Sequence, residues 1–261
     1  MQLLPGTVIA GYLLSTIFVR NILIGKLVKD RQKIFFYLII LLSFFLFAFY
    51  TYSLINQTKG FDFNTSLSLT LLIINFLFCL FMFTKPIYHL GLILFPITAL
   101  IILITLFYKT GNAPVTLTNN NLQLHILSSF ISYGFLGLAG IEAILLLFQE
   151  KKLRHVKNSS LEISLPPIEV MEKIMFDLIV IGFILLTISV LSGIPFILSE
   201  NNFLLMQKII FSVVAWITFA YLLFKRFSTG IRGEKAVHLT LSGIIFLFIA
   251  YLGTKLFFEL L

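Results

Sequence analysis

The chain has 261 residues, of which 59% are hydrophobic and only 11% charged, with a formal net charge of +8. A water-soluble domain carries about 25% charged residues, so water cannot solvate the outside of this chain and lipid must. The charge is no sign of nucleic acid, because basic residues collect in the cytoplasmic loops of membrane proteins and no basic run here alternates with aromatics. A single cysteine, Cys79, lies in an apolar run, which excludes a disulfide framework and any CxxC metal or redox motif.

Crossing a hydrocarbon core of roughly 30 Å takes about 20 apolar residues as helix. Eight such runs occur, over 4–25, 34–56, 65–84, 87–108, 122–149, 174–198, 204–224 and 237–259. Backbone groups in lipid need internal partners, and the runs lack the alternation of a β-barrel. The expected fold is therefore all-α, a polytopic membrane helix bundle of about eight transmembrane helices forming one membrane domain over 1–261. The first run has no basic segment before it and reads as a permanent span, not a cleaved signal.

Charge sets an expected orientation. Fourteen of the nineteen lysines and arginines fall in alternate loops, after runs 1, 3, 5 and 7, and four fall on the other side. That bias predicts basic loops inside and both termini outside. The longest inner loop, about 150–173, ends in Pro166-Pro167, with Glu169 and Glu172 following. Proline suits a first helical turn and acids suit the positive helix start, so a helix is expected to begin near Pro167 and run into the sixth span. The segments 57–64 and 109–121 read as short turns. Pro96 and Pro195 are expected to break their helices.

Polar groups inside a span are costly and ask for a reason. In the fifth span His125, Ser128, Ser129 and Ser132 fall on one helical face, and Leu136, Ala139, Gly140 and Ala143 extend that face with mostly small residues. One reading is helix packing, with serines bonding across helices and His125 wet at the interface. The other is an imidazole that ligates a metal or heme from the outer leaflet. Glu142 lies off this face and is expected to snorkel inward or pair with a base. Lys208 is read as snorkelling to the outer interface or meeting an anionic group. His89, His155 and His238 are expected to be interfacial or solvated. No zinc, phosphate-binding or nucleophile motif is present, and no catalytic residue is assigned.

The segments LHILSSFISYGFLGLAGIEAILLLFQEKKLR, LPPIEVMEKIMFDLIVIGFILLTISVLSG and QKIIFSVVAWITFAYLLFKRFSTGIRGEKAVHLTLSGIIFLFIAYLGTKLFFELL together resemble the YpjD/HemX-type inner-membrane proteins of the cytochrome c assembly (CcsA-like) superfamily. The resemblance covers about 120–261, with KPIYHLGLILFP adding weaker support upstream. It implies an eight-span bacterial inner-membrane protein that handles heme, with spans 5–8 forming the pocket. His125 would be an axial heme ligand and Lys208 a partner for a propionate, with Ser129, Ser132 and Gln207 lining the pocket. Gln207 stands where close relatives often carry histidine, and a tryptophan-rich heme-handling segment is missing. The GWRG-like loop of the family reads Gly230-Ile231-Arg232-Gly233 and would face the cytoplasm. No metal other than heme iron is implied. The implied partners are membrane lipid, heme and other cytochrome-assembly or heme-pathway proteins. The alternatives are a non-catalytic membrane partner or regulator of heme biosynthesis or another complex, and a small-solute permease.

Overall fold

A computed structural model describes residues 4–25, 30–58, 63–107, 120–154, 164–199 and 203–253. Among the described residues eight α-helices follow one another: α1 Leu4–Leu23, α2 Asp30–Thr58, α3 Phe63–Phe81, α4 Gly91–Phe107, α5 Asn120–Arg154, α6 Ile168–Ser199, α7 Phe203–Thr229 and α8 Gly233–Phe248. A 3-10 turn, Tyr88–Leu90, leads into α4, and a π turn, Ile249–Gly253, continues α8. Each of the eight, with its attached turn where there is one, is long and apolar enough to span a bilayer, and the protein is a multi-pass membrane protein. The chain forms two compact units, Met1–Val115 with Lys151–Pro167, and Thr116–Glu150 with Ile168–Leu261.

In the first unit α1 packs on α2 and α4, and α3 lies against both α2 and α4. An aromatic chain fills its centre. Tyr12 meets Phe47 edge-on at 5.9 Å and Phe95 at 5.7 Å, and Phe95 meets Phe78 edge-on at 5.1 Å. All four rings are fully buried, and such contacts add about 0.5–1.5 kcal/mol each beyond burial. Two polar clips tie the helices together: Asn75 donates through Nδ2 to Thr98 Oγ1 at 3.0 Å, and the Tyr50 hydroxyl lies 3.2 Å from Thr105 Oγ1. Cys79 is buried in this unit.

The second unit is built around α5, whose span is 72% buried against 22–50% in the others. Small residues set its spacing. A Cβ on Gly140 would lie 2.5 Å from Ile244 of α8, and one on Gly182 of α6 would lie 2.7 Å from Leu136. Ser132 donates across to the Gly182 carbonyl at 2.8 Å. Between α6 and α7, Phe183 stacks on Trp216 at 5.6 Å, and Trp216 Nε1 donates to Thr187 at 2.9 Å. Between α7 and α8, Gly243 sits against the Phe219 ring.

Three expectations need correction. α4 and α6 continue through Pro96 and Pro195 instead of breaking. A proline removes one ladder bond, and in a spanning helix local adjustment and neighbouring groups absorb that loss. Glu142 does not snorkel, because it is fully buried in the most enclosed helix of its unit. His89 is not solvated, because the 3-10 turn tucks it fully out of solvent beside Tyr88. His238 is exposed, 3.6 Å from Glu234 one turn before it. His155 and segment 109–119 lie outside the described residues.

Candidate functional site

α6 begins at Ile168, directly after Pro167, and lies alongside the polar face of α5. The spacing that groups His125, Ser128, Ser129 and Ser132 on one face turns that face toward it. The three serines are buried and His125 is half-buried.

His125 Nδ1 lies 2.7 Å from the carbonyl oxygen of Ser189 on α6. A carbonyl only accepts, so Nδ1 carries the proton, and in the neutral ring Nε2 keeps the lone pair. Ser129 Oγ donates to the His125 carbonyl at 2.6 Å and sits 2.6 Å from Ser189 Oγ. Since Ser129 has spent its proton on that carbonyl, Ser189 is the donor in the second bond. The sequence of bonds is Ser189 to Ser129 to the His125 backbone, and from the His125 ring back to the Ser189 backbone. Ser132 closes the next turn onto Gly182. Gly193, one turn beyond Ser189, passes directly under the imidazole: a Cβ there would lie 3.0 Å from Cε1 and 3.1 Å from Nδ1.

His125, Ser129 and Ser132 are thus brought together by one helix pair. Gln207 and Lys208 are half-buried near the start of α7, outside this chain of bonds. Among the described residues no cluster of three or more His, Cys, Asp or Glu side chains could hold a bare metal ion. A lone histidine with its Nδ1 engaged and Nε2 available suits a group that brings its other ligands with it, as a porphyrin does. In that sense the residues fit heme.

At the opposite end of α6 stands a second polar cluster. Glu172 is buried, with Arg226 Nη1 3.5 Å from Oε1 and Arg232 Nε 3.5 Å from Oε2. Gly233 N donates to Glu172 Oε1 at 3.2 Å. Arg226 also donates to the Ile231 carbonyl at 2.9 Å and lies over the Phe176 ring at 4.2 Å. Gly230 and Gly233 both have positive φ, 64° and 60°, which glycine adopts without strain. The Gly230–Gly233 loop is therefore a turn clamped by a buried carboxylate at the positive start of α8. Sequence reasoning missed Ser189, Gly193 and this role of Glu172. Ser189 and Gly193 share one face of α6 at helical spacing, but nothing marked that face as the partner of His125.

Residues 33–261 match the family described as cytochrome C assembly protein, and the chain belongs to that family. The match begins well upstream of the motifs near residue 120. The chain is 28% identical over 138 residues to the inner membrane protein YpjD of Escherichia coli K12, covering 53% of this chain and 52% of that protein. It is 29% identical over 136 residues, 51% of this chain and 50% of the relative, to an uncharacterized 28.8 kDa protein from the nifR3-like 5' region of Azospirillum brasilense. The chain thus matches about half the length of these curated relatives. No solved structure matches it.

Proposed function

We propose that the protein is a heme-handling membrane protein of cytochrome c-type assembly, with His125 as an axial ligand through Nε2. The hydrogen bond from His125 Nδ1 to the Ser189 carbonyl carries this reading. It selects the tautomer that leaves Nε2 available and raises the basicity of the ring. Ser129 holds the imidazole in place through the His125 carbonyl and Ser189, and Ser132 ties α5 to α6 about two turns away. Lys208 supplies a cation suited to a propionate, and Gln207 beside it adds a polar pocket wall. Bound heme would supply the iron and the vinyl groups to be joined to a cytochrome; this chain would hold and orient it. The name of the Escherichia coli relative and the basic-loop bias together favour the bacterial inner membrane, with both termini and the His125 end outward.

The test is an absorption spectrum of the detergent-purified protein before and after adding heme. A Soret band is expected, and it should be lost or shifted in His125→Ala. A missing band, or one that the substitution leaves unchanged, sinks the reading.

A second reading is supported by the clasp at Glu172. It fixes the Gly230–Gly233 turn and leaves Arg232 68% exposed, a rigid basic surface suited to a protein partner. On this reading the chain is a non-catalytic partner or regulator of heme biosynthesis or another complex. Crosslinking from residue 232 should then capture one specific protein; labelling of lipid and background alone would remove its support.

A further inference from the structure

We infer that Gly193 and Ser189 of α6 are positioning residues that fix the tautomer and tilt of the His125 imidazole, so that Nε2 is the nitrogen offered to a ligand. The inference deepens the heme reading and rests on it for its consequence, while its geometry stands apart from any bound group.

The Ser189 carbonyl lies inside a continuous helix, where its oxygen points along the axis toward the residue four positions on. That residue is Gly193. A side chain from another helix reaches such an oxygen only by lying close against the backbone at that position. A Cβ at that position would be 3.0 Å from Cε1 and 3.1 Å from Nδ1 of His125, so the ring would have to give by a few tenths of an ångström. Ser192 Oγ also donates to the same carbonyl, at 3.0 Å, so the imidazole shares this acceptor. The missing side chain of Gly193 lets the imidazole lie this close to the backbone without displacement.

The second half is the backbone of α5. Ser189 donates its hydroxyl to Ser129, which in turn donates to the His125 carbonyl. Ser189 therefore grips His125 twice, by its own carbonyl on the ring and by its hydroxyl through Ser129 on the main chain. Ring and backbone are both held, which leaves the imidazole little freedom to rotate and exchange its two nitrogens.

The comparison that isolates this role uses two glycines of the same helix. Gly182 also lies against α5, where a Cβ would be 2.7 Å from Leu136 and 3.2 Å from Phe135. Gly182→Ala therefore strains the same helix pair away from the imidazole, and Gly193→Ala strains it at the imidazole. The experiment records nitrogen and carbon magnetic resonance of histidine-labelled, heme-free protein in bilayers, with His125→Ala identifying the His125 signal. The wild type is expected to show the Nδ1–H tautomer with a hydrogen-bonded shift. Gly193→Ala should lose that signature or split it between tautomers, while Gly182→Ala keeps it. In heme-loaded protein Gly193→Ala should also shift the iron–histidine vibration and weaken heme binding by about 10–100-fold, the usual cost of a lost outer-shell partner. A wild-type His125 protonated on Nε2 overturns the inference, and does so even if Gly193→Ala fails to fold. So does a Gly193→Ala signal identical to wild type, or an equal loss in both glycine variants. A wild type that binds no heme refutes the heme reading instead, and leaves the tautomer result standing.

Discussion

The clasp at Glu172 makes the sharpest stability prediction. Glu172→Ala leaves Arg226 without its carboxylate, frees Arg232 and strips the Gly233 N–H of its acceptor. Removing one member of a fully buried ion pair costs about 3–5 kcal/mol. Here Arg226 is 21% and Arg232 68% exposed. Water screens both charges, so the expected loss falls to about 2–3 kcal/mol, most of it from Arg226 and Gly233. Glu172→Gln retains one oxygen for Gly233 and should cost about 1–2 kcal/mol. Arg226→Ala should cost about 2 kcal/mol, since it also loses the bond to Ile231 and the contact over Phe176. Arg232→Ala should cost less than about 1 kcal/mol, as exposed pairs do.

Equilibrium unfolding in mixed micelles reads these values directly. Trp216 is the chain's only tryptophan and is stacked on Phe183 between α6 and α7, so its fluorescence reports this unit. A double-mutant cycle should give a larger coupling for Glu172 with Arg226 than with Arg232. Equal couplings, or a Glu172→Gln variant as stable as wild type, would refute the assignment of Glu172 as the clamp.

Three further outcomes follow from packing. Ser132→Ala removes a buried interhelical bond and should lower stability by about 0.6–1.7 kcal/mol in the same titration. Gly243→Ala places a carbon 2.8 Å from the Phe219 ring and should destabilise by about 1–3 kcal/mol, whereas Gly6→Ala meets no neighbour within 4 Å and should not. The Tyr12 hydroxyl is buried without a hydrogen-bond partner, so Tyr12→Phe should leave the melting temperature unchanged or raise it; a clear fall would mean that the hydroxyl is engaged.

Much of the fold was legible because lipid imposes a simple rule: a run of about 20 apolar residues must be a helix. The start of α6 was legible because Pro166-Pro167 punctuates the chain. The polar face of α5 was legible because three- and four-residue spacing places His125, Ser128, Ser129 and Ser132 together. The partner of that face was not. Its key acceptor is a main-chain carbonyl, and every residue type carries one. Gly193 carried no signal of its own, since only the approach of a ring shows that its missing side chain matters. Glu172 read as a charge at a helix start; its contacts to Arg226 and Gly233 are 54 and 61 residues away and leave no local pattern. The burial of His89 and Glu142 was missed for a related reason. Position along a span sets expected depth, but the neighbouring helices decide exposure.

The two polar clusters make the competing readings separable. Ser189 and Glu172 lie 17 residues apart on α6, about 25 Å along a helix that rises 1.5 Å per residue. Sites that far apart with no shared partner should behave additively, so His125→Ala combined with Glu172→Ala should destabilise by the sum of the two single effects within about 0.5 kcal/mol. The same separation predicts that Glu172→Ala leaves the heme spectrum untouched in protein that stays folded. Suppose that cytochrome maturation in cells depends on this protein, and that the variant retains the spectrum but fails to support maturation. The clasped turn would then be doing work that heme ligation does not cover, and the partner reading would gain at the expense of a purely heme-holding one. Suppose instead that only His125→Ala impairs maturation. The clasp would then be scaffolding, and the chemistry would belong to the histidine between α5 and α6. A non-additive double variant would contradict the independence of the two clusters, because it would require α6 to transmit strain from one end to the other.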